Sequence, residues 1–354
     1  MKKIAAVMAV SAILLSAVYA YNPPVGNESL FEYSSPAALS GRISVTGGAL
    51  FSAGPDSLIA NPALTAGEQR SALNVGFTLF VSGNDENEYP LGSSFQTGIM
   101  IPFKLYVFSG FIDGNFTNFD EFYIGNNLNV KAGLSKEITD KLDVGASVSG
   151  GLNWGYGFDW SLAGNIGFNY TYGDLGILKN FRYGASLLNL GKSYNDLKRN
   201  AYALDDSAAV TDFPQFITLK AGAAASILKN DVMELGFAAD LTIPCFQNLI
   251  LDLSAQFALK NALVLSIGEK INIMEAVRGK SNFVPGFSLS YKFDFSVSNN
   301  EYLARNDWSQ SEMNVSAGYK NLYKSVHAIS AAADLSLGMQ DTTAPKITIV
   351  GEED

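Results

Sequence analysis

The 354-residue chain has one cysteine, Cys245, and one histidine, His327. A single cysteine excludes an intrachain disulfide, and it does not follow the N-terminal leader as a lipoprotein cysteine would. Two thiol or imidazole ligands in all are too few for a zinc-type metal site. A Ser-His-Asp or Cys-His centre would have to use His327, which opens a segment in a lipid- or interface-facing register beside no nucleophile. A structural role suits it better, and no enzyme activity is expected. There is no G-x-x-x-x-G-K-[ST] and no convincing G-x-G-x-x-G. Gly155-Tyr156-Gly157 reads as hairpin glycine, and no cofactor is expected.

Charge is also scarce. Only 16% of residues are Asp, Glu, Lys or Arg, against roughly 25% in ordinary soluble domains. The balance is acidic, −10 at pH 7, which argues against a nucleic-acid partner, since phosphates need a basic footprint. The clusters Asp85-Glu86-Glu88, Asp120-Glu121 and Asp205-Asp206 fall in expected loops. Oxygen ligation of Ca²⁺ is one reading; solvated loop charge is the better one. Past the first 20 residues, no stretch approaches the ~20 consecutive apolar residues of a spanning helix.

The chain does hold an export signature. Met1-Lys2-Lys3, an apolar run from Ile4 to Val18, and the small residues around Ala20 make a signal peptide, residues 1–20, cleaved near Ala20. The rest is rich in residues that suit sheets in lipid: 47% of the chain is hydrophobic, with 33 Gly, 23 Phe and 16 Tyr. An exported, weakly charged chain without spanning helices points to a bacterial outer-membrane β-barrel, where closure satisfies every backbone donor and acceptor in lipid.

Period-2 alternation supports this. Met233, Leu235, Phe237, Ala239, Leu241 and Ile243 alternate with Glu234, Gly236, Ala238, Asp240 and Thr242. Phe287, Leu289, Tyr291, Phe293 and Phe295 do the same with Ser288, Ser290, Lys292 and Asp294. One face can meet lipid while the other faces a polar interior. With turn residues as boundaries, about fourteen strands are predicted: 71–82, 93–102, 104–112, 125–137, 141–153, 159–172, 181–190, 215–227, 231–243, 247–258, 261–273, 282–295, 311–322 and 325–337. Most suit a tilted span of ~9–11 residues, whereas soluble strands run ~5–6. Tyr106, Trp154, Trp160, Tyr172 and Tyr323 are expected in the interfacial girdles. Long loops should alternate with tight turns, and one place breaks that rule. The long 296–310 connection is predicted at the periplasmic end and the short 323–325 at the extracellular end. Either a strand there is misassigned or the barrel departs from the pattern. Small residues such as Gly222, Ala224, Gly236 and Ala238 fill the inward face, leaving room for a plug or hydrophobic ligand, or simply suiting barrel packing.

Residues 21–70 do not read as wall. They hold Pro23, Pro24, Pro36, Pro55 and Pro62, too dense for central strands. They form either a leader packed outside the barrel or a plug within it. Within them, Gly47–Ala66 reads GGALFSAGPDSLIANPALTA. A small-residue stretch, then Asp56-Ser57, then Asn61-Pro62-Ala63, resembles the N-terminal hatch signature of FadL-like outer-membrane proteins, a superfamily of long-chain fatty-acid transporters and the PorV proteins of type IX secretion. Ser186-Leu187-Leu188-Asn189-Leu190-Gly191, Phe213-Pro214-Gln215 and the ending from His327 to Pro345 resemble PorV-type segments. The whole is most similar to the FadL-like family of treponemal spirochaetes, over most of residues 40–345.

The resemblance implies a fourteen-stranded transmembrane antiparallel barrel over 71–338, plugged by an N-terminal hatch over 21–70, with a kinked strand opening a lateral exit and 339–354 left as a periplasmic tail. Asp56, Asn61, Pro62 and Ala63 would be hatch residues. Read from the residues alone, Asn-Pro-Ala is equally a stable turn, because proline stops a strand and Asn caps a turn. The implied function is passive uptake of hydrophobic molecules, long-chain fatty acids among them, with outer-membrane lipid as surroundings. The alternatives are a PorV-like barrel that meets secretion partners, and a general porin. Sparse lumen charge and the 21–70 segment speak against the porin.

Overall fold

The structure, a computed structural model, describes residues 33–68, 70–83, 90–103, 105–117, 125–154, 158–194, 217–279, 281–295, 311–322 and 325–337. The signal peptide, the C-terminal tail, Tyr323, the Gly155-Tyr156-Gly157 hairpin and the three acidic loop clusters lie outside them.

Fourteen strands close into one antiparallel barrel in which each pairs with its sequence neighbours and β1 pairs with β14. They are β1 (Ala72–Ser82), β2 (Leu91–Pro102), β3 (Val107–Thr117), β4 (Gly125–Thr139), β5 (Leu142–Trp154), β6 (Asp159–Leu175), β7 (Leu178–Lys192), β8 (Thr218–Lys229), β9 (Met233–Pro244), β10 (Ile250–Leu259), β11 (Leu263–Asn272), β12 (Gly286–Phe295), β13 (Ser311–Leu322) and β14 (Val326–Ser336). The alternation that predicted them sorts residues by side. On β1, Val75 is 58% and Phe77 51% exposed, whereas Asn74 and Thr78 are sealed. Apolar residues outside and polar ones inside invert a soluble core, and the arrangement suits a wall bathed in lipid.

Several predicted boundaries shift by a few residues, and two shifts stand out. β3 runs on to Thr117, through residues expected to start a loop. β12 begins only at Gly286. The connection before it holds a short helix, here α2 (Ile273–Val277), capped by Asn272, whose side chain accepts from the Glu275 amide. The break in loop alternation is a departure from the pattern and not a misassigned strand. β12 pairs with β13 from Phe287–Tyr319 to Phe295–Ser311, and β13 pairs with β14 from Glu312–Ser336 onward. β12 therefore ends, and β13 begins, at the end of the barrel where β1 starts and β14 stops.

Of the expected girdle residues, Tyr106, Trp160 and Tyr172 are exposed near strand ends, and Trp154 lies edge-on to Phe116 with ring centroids 6.2 Å apart. Register shifts occur in the β4–β5, β6–β7, β7–β8 and β8–β9 pairs. In β7 the chain bulges at Asn189, whose φ is 60° and whose amide donates to Asn165 Oδ1 at 2.8 Å.

Candidate functional site

Residues 33–68 lie against the inward faces of the strands, and the local sequence explains their path. Helix α1 (Pro36–Leu39) starts with proline and is capped by Ser35, whose side chain accepts from the Ala38 amide. Gly41, Gly47 and Gly48 take positive φ of 73°, 80° and 79°, turning the chain where a side chain would strain it. A 3-10 turn follows over Pro55–Ile59.

Hydrogen bonds tie this segment to most sectors of the wall. Ser34 Oγ donates to Gln96 Oε1 on β2 at 2.7 Å. Ser40 Oγ lies 2.7 Å from Ser288 Oγ, and Arg42 Nη1 donates to Ser290 Oγ at 2.6 Å, both on β12. The Val45 amide donates to Asp240 Oδ2 on β9 at 2.6 Å. Arg182 on β7 reaches in, with Nε donating to the Thr46 carbonyl at 2.9 Å and Nη2 to the Gly48 carbonyl. Thr65 Oγ1 is 2.7 Å from Ser135 Oγ on β4.

The wall is hollowed to admit the segment. A Cβ on Gly133 would stand 2.7 Å from Leu58, one on Gly236 2.7 Å from the Ala49 carbonyl, and one on Gly318 2.9 Å from Pro36. Gly98, Gly145, Gly167, Gly268 and Gly286 would run into Pro55, Pro62, Asn61, Ser40 and Leu39 in the same way. Of the small inward residues predicted from sequence, Ala224 and Ala238 pack on Ala49. Gly222 instead gives room to the Asp240 carboxylate. Apart from Gly222, the smallness accommodates chain.

The residues expected in the hatch separate into two places. Asn61 is fully buried beside β6 and β7. Its Nδ2 donates to the carbonyls of Val45 at 2.8 Å and Phe168 at 2.9 Å, and its Oδ1 accepts from the Ala63 amide at 3.0 Å. The Pro62 carbonyl fills the space over Gly145 on β5. Asp56 stands apart, at the edge of a cavity of about 410 Å³ at the termini's end, which Arg42, Arg70, Lys292, Glu312 and Asp334 also line. Burial, and secondly the Asp334 carboxylate, push the Asp56 carboxyl up to about 6, against the pull of Arg42 and Gln96.

The lumen is not sparsely charged. Asp113, Lys131, Arg182, Lys220, Asp240 and Lys320 all point inward and are buried. A low overall charge misleads because nearly all the wall's charge is gathered on one face. Near the far end, β3 and β4 carry facing amides: Asn115 Nδ2 donates to Asn127 Oδ1 at 3.1 Å, and Asn129 Nδ2 to Asp113 Oδ2 at 2.9 Å. His327 faces outward on β14, its Nδ1 2.9 Å from Tyr319 Oη. Among the described residues, no group of three or more His, Cys, Asp or Glu side chains is placed to hold a metal ion. Arg42, Arg182 and Asp240 were not singled out from sequence as contacts of this segment; for Arg182 and Asp240 the available signal was a charged residue at an inward position of an alternating strand.

The barrel has counterparts among solved structures. The chain superposes on the Pseudomonas putida toluene transporter TodX with a TM-score of 0.53 at 15% identity, over 88% of this chain and 100% of that one. The fold is that of the FadL-type barrels. The Ralstonia pickettii toluene transporter TbuX gives 0.53 at 14% identity, over 88% and 99% of the two chains. A Pseudomonas aeruginosa FadL homologue gives 0.50 at 11%, over 86% and 98%. No family model matches the sequence, and no curated protein is significantly similar to it.

Proposed function

We propose that this protein is an outer-membrane channel for passive passage of small hydrophobic molecules, long-chain fatty acids among them. The observation that carries the reading is a closed fourteen-strand wall, apolar outside, with an N-terminal segment laid across its lumen. TodX and TbuX, of like fold, are toluene transporters, and the reading extends that class of solute to this chain. Residues 1–20 act as the export signal cleaved near Ala20, 21–70 as the hatch, 71–338 as the wall and 339–354 as a periplasmic tail. Asp56, Asn61, Pro62 and Ala63 are the hatch residues in this reading. The general-porin alternative loses ground, because the space a porin keeps for water is crossed by chain.

The polar lumen bears on mechanism. A hydrophobic solute gains nothing by dissolving among Asp113, Lys131 and Asn129, so its passage depends on movement of the filling segment. Asn61 is the hinge of that dependence, since its one side chain holds Val45, Ala63 and β6 together. Radiolabelled oleate and toluene, offered to the purified protein in proteoliposomes, test the reading. Saturable binding and uptake that change with Asn61→Ala are expected. Absence of saturable binding in both proteins sinks it.

A further inference from the structure

The cavity at the termini's end holds charges that do not meet. It is about 410 Å³ in volume and lies between residues 33–68 and the wall. Several of the charged groups around it are already matched. Arg70 pairs with Glu68 at 3.6 Å and with Glu312 at 3.1 Å, Lys292 with Glu312 at 3.7 Å, and Glu234 with Lys229 at 3.3 Å. Arg42, Asp56 and Asp334 remain, and among the described residues none of the three is in an ion pair.

Arg42 is the clearest orphan. It is 9% exposed, and its guanidinium makes one hydrogen bond, from Nη1 to Ser290 Oγ on β12. Nε is sealed without a partner; Nη2, also without one, is not sealed and is left for the cavity. A buried cation without a counter-charge is costly, and such a group marks a place where a ligand, ion or water completes the structure.

Asp56 and Asp334 are its counterparts, both partly exposed in the same cavity. Asp334 on β14 accepts from Asn74 Nδ2 and Asn314 Nδ2, and Asp56 from Gln96 Nε2 on β2 at 3.5 Å. These side-chain donors are all neutral. The Arg42 charge acts on both carboxyls but touches neither. Its tether explains the gap: Ser290 lies two strands from Asp334, across β13, roughly 10 Å along the wall at ~4.8 Å per strand. A lone anion in this space would meet two carboxylates, and a lone cation would meet the guanidinium. A molecule with opposite charges a few carbons apart suits both sides.

We propose that this cavity binds a small zwitterion, its carboxylate on the Arg42 guanidinium and its ammonium on Asp56 and Asp334. Bound there, it joins residues 33–68 to β14. The inference requires only the cavity and its charges, so it survives or fails separately from the channel reading. Calorimetric titration of γ-aminobutyrate into the full-length protein in phosphatidylcholine nanodiscs tests it, with butyrate and butylamine as single-charge comparisons. One equivalent of γ-aminobutyrate is expected, bound roughly tenfold more tightly than either comparison, the gain of one charge-assisted contact. The variants should separate the two ends. Arg42→Met should remove the advantage over butylamine, and Asp56→Asn should reduce the advantage over butyrate, each weakening γ-aminobutyrate roughly tenfold. No saturable heat from γ-aminobutyrate would mean a cavity filled by water alone and overturn the proposal. So would butyrate or butylamine binding as tightly, or unchanged γ-aminobutyrate binding in either variant. If Arg42→Met does not fold, Asp56→Asn decides: weaker γ-aminobutyrate with butyrate unchanged is expected, and unchanged γ-aminobutyrate binding overturns the proposal.

Discussion

On β1, Val75 and Phe77 stand in the open while Asn74 and Thr78, one position away, are sealed. The same contrast runs round the barrel, and the two faces are under different constraints. The outer face needs only to be apolar and of roughly the right width, because lipid is fluid and conforms. The inner face must fit a particular backbone, so its glycines and polar groups are specified atom by atom, as at Gly286 against Leu39 and Asp240 against the Val45 amide. Outside, chemistry is fixed and shape is free; inside, both are fixed.

Four measurements test that contrast. Placing a cation on the outer face should have the largest effect: Val75→Arg is expected to cost about 2–4 kcal/mol if the position lies near mid-bilayer, read as folded fraction in lipid vesicles against urea, whereas Val75→Leu should be near neutral. A stability unaffected by Val75→Arg would mean that this face does not meet lipid. Next comes size on the inner face. Gly286→Val, driven against the Leu39 carbonyl, should cost about 1–3 kcal/mol or expel residues 33–68, detectable as new protease cleavage in that segment. The adjacent outward Phe287→Leu should leave cleavage unchanged. Asn61→Ala leaves the Val45 and Phe168 carbonyls without their donor and should cost about 1–3 kcal/mol, seen as faster hydrogen exchange in 43–66. Equal exchange in the two proteins would deny Asn61 its anchoring part.

The smallest effect is on pH. The carboxyl of Asp56 is held up to about 6, above its ordinary value of 3.8, chiefly by burial. An acid whose pKa rises on docking binds more protons docked than free, so docking weakens as pH climbs from about 4 to 6 and is level above. Protection factors in the Asp56 region, with the intrinsic pH dependence of exchange divided out, should therefore be higher at pH 5 than at pH 7. That dependence of protection should vanish in Asp56→Asn, and wild-type protection factors that stay flat with pH would mean that Asp56 is not coupled to docking.

Much of the wall was legible in the sequence because two signals coincide there. Alternation in β9 and β12 names the face, and the length of each run names a membrane strand. Legibility failed where a local signal spoke for the wrong partner. Gly114 and Asn115 look like loop residues, yet β3 continues through them because Asn115 pairs with Asn127 across the lumen side. The bulge at Asn189 left no mark beyond an asparagine able to take positive φ. Lumen charge was underestimated because a chain-wide percentage cannot show that one face holds most of it. That residues 33–68 stand apart from the wall was legible in their prolines, but their contacts were not, since Arg182 and Asp240 lie more than a hundred residues from the carbonyls and amides they meet. The inward glycines were visible one by one; only closure reveals that they belong to one outline.

That outline bears on the order in which the molecule is made. Pairing of β1 with β14 joins residues some 250 positions apart, and such distant contacts form late. Once they form, the segment from 33 to 68 is held within a ring shaped to its own backbone, with wall atoms on every side. The outline that receives it is complete only when β1 and β14 meet, so seating of the segment and closure of the wall are coupled.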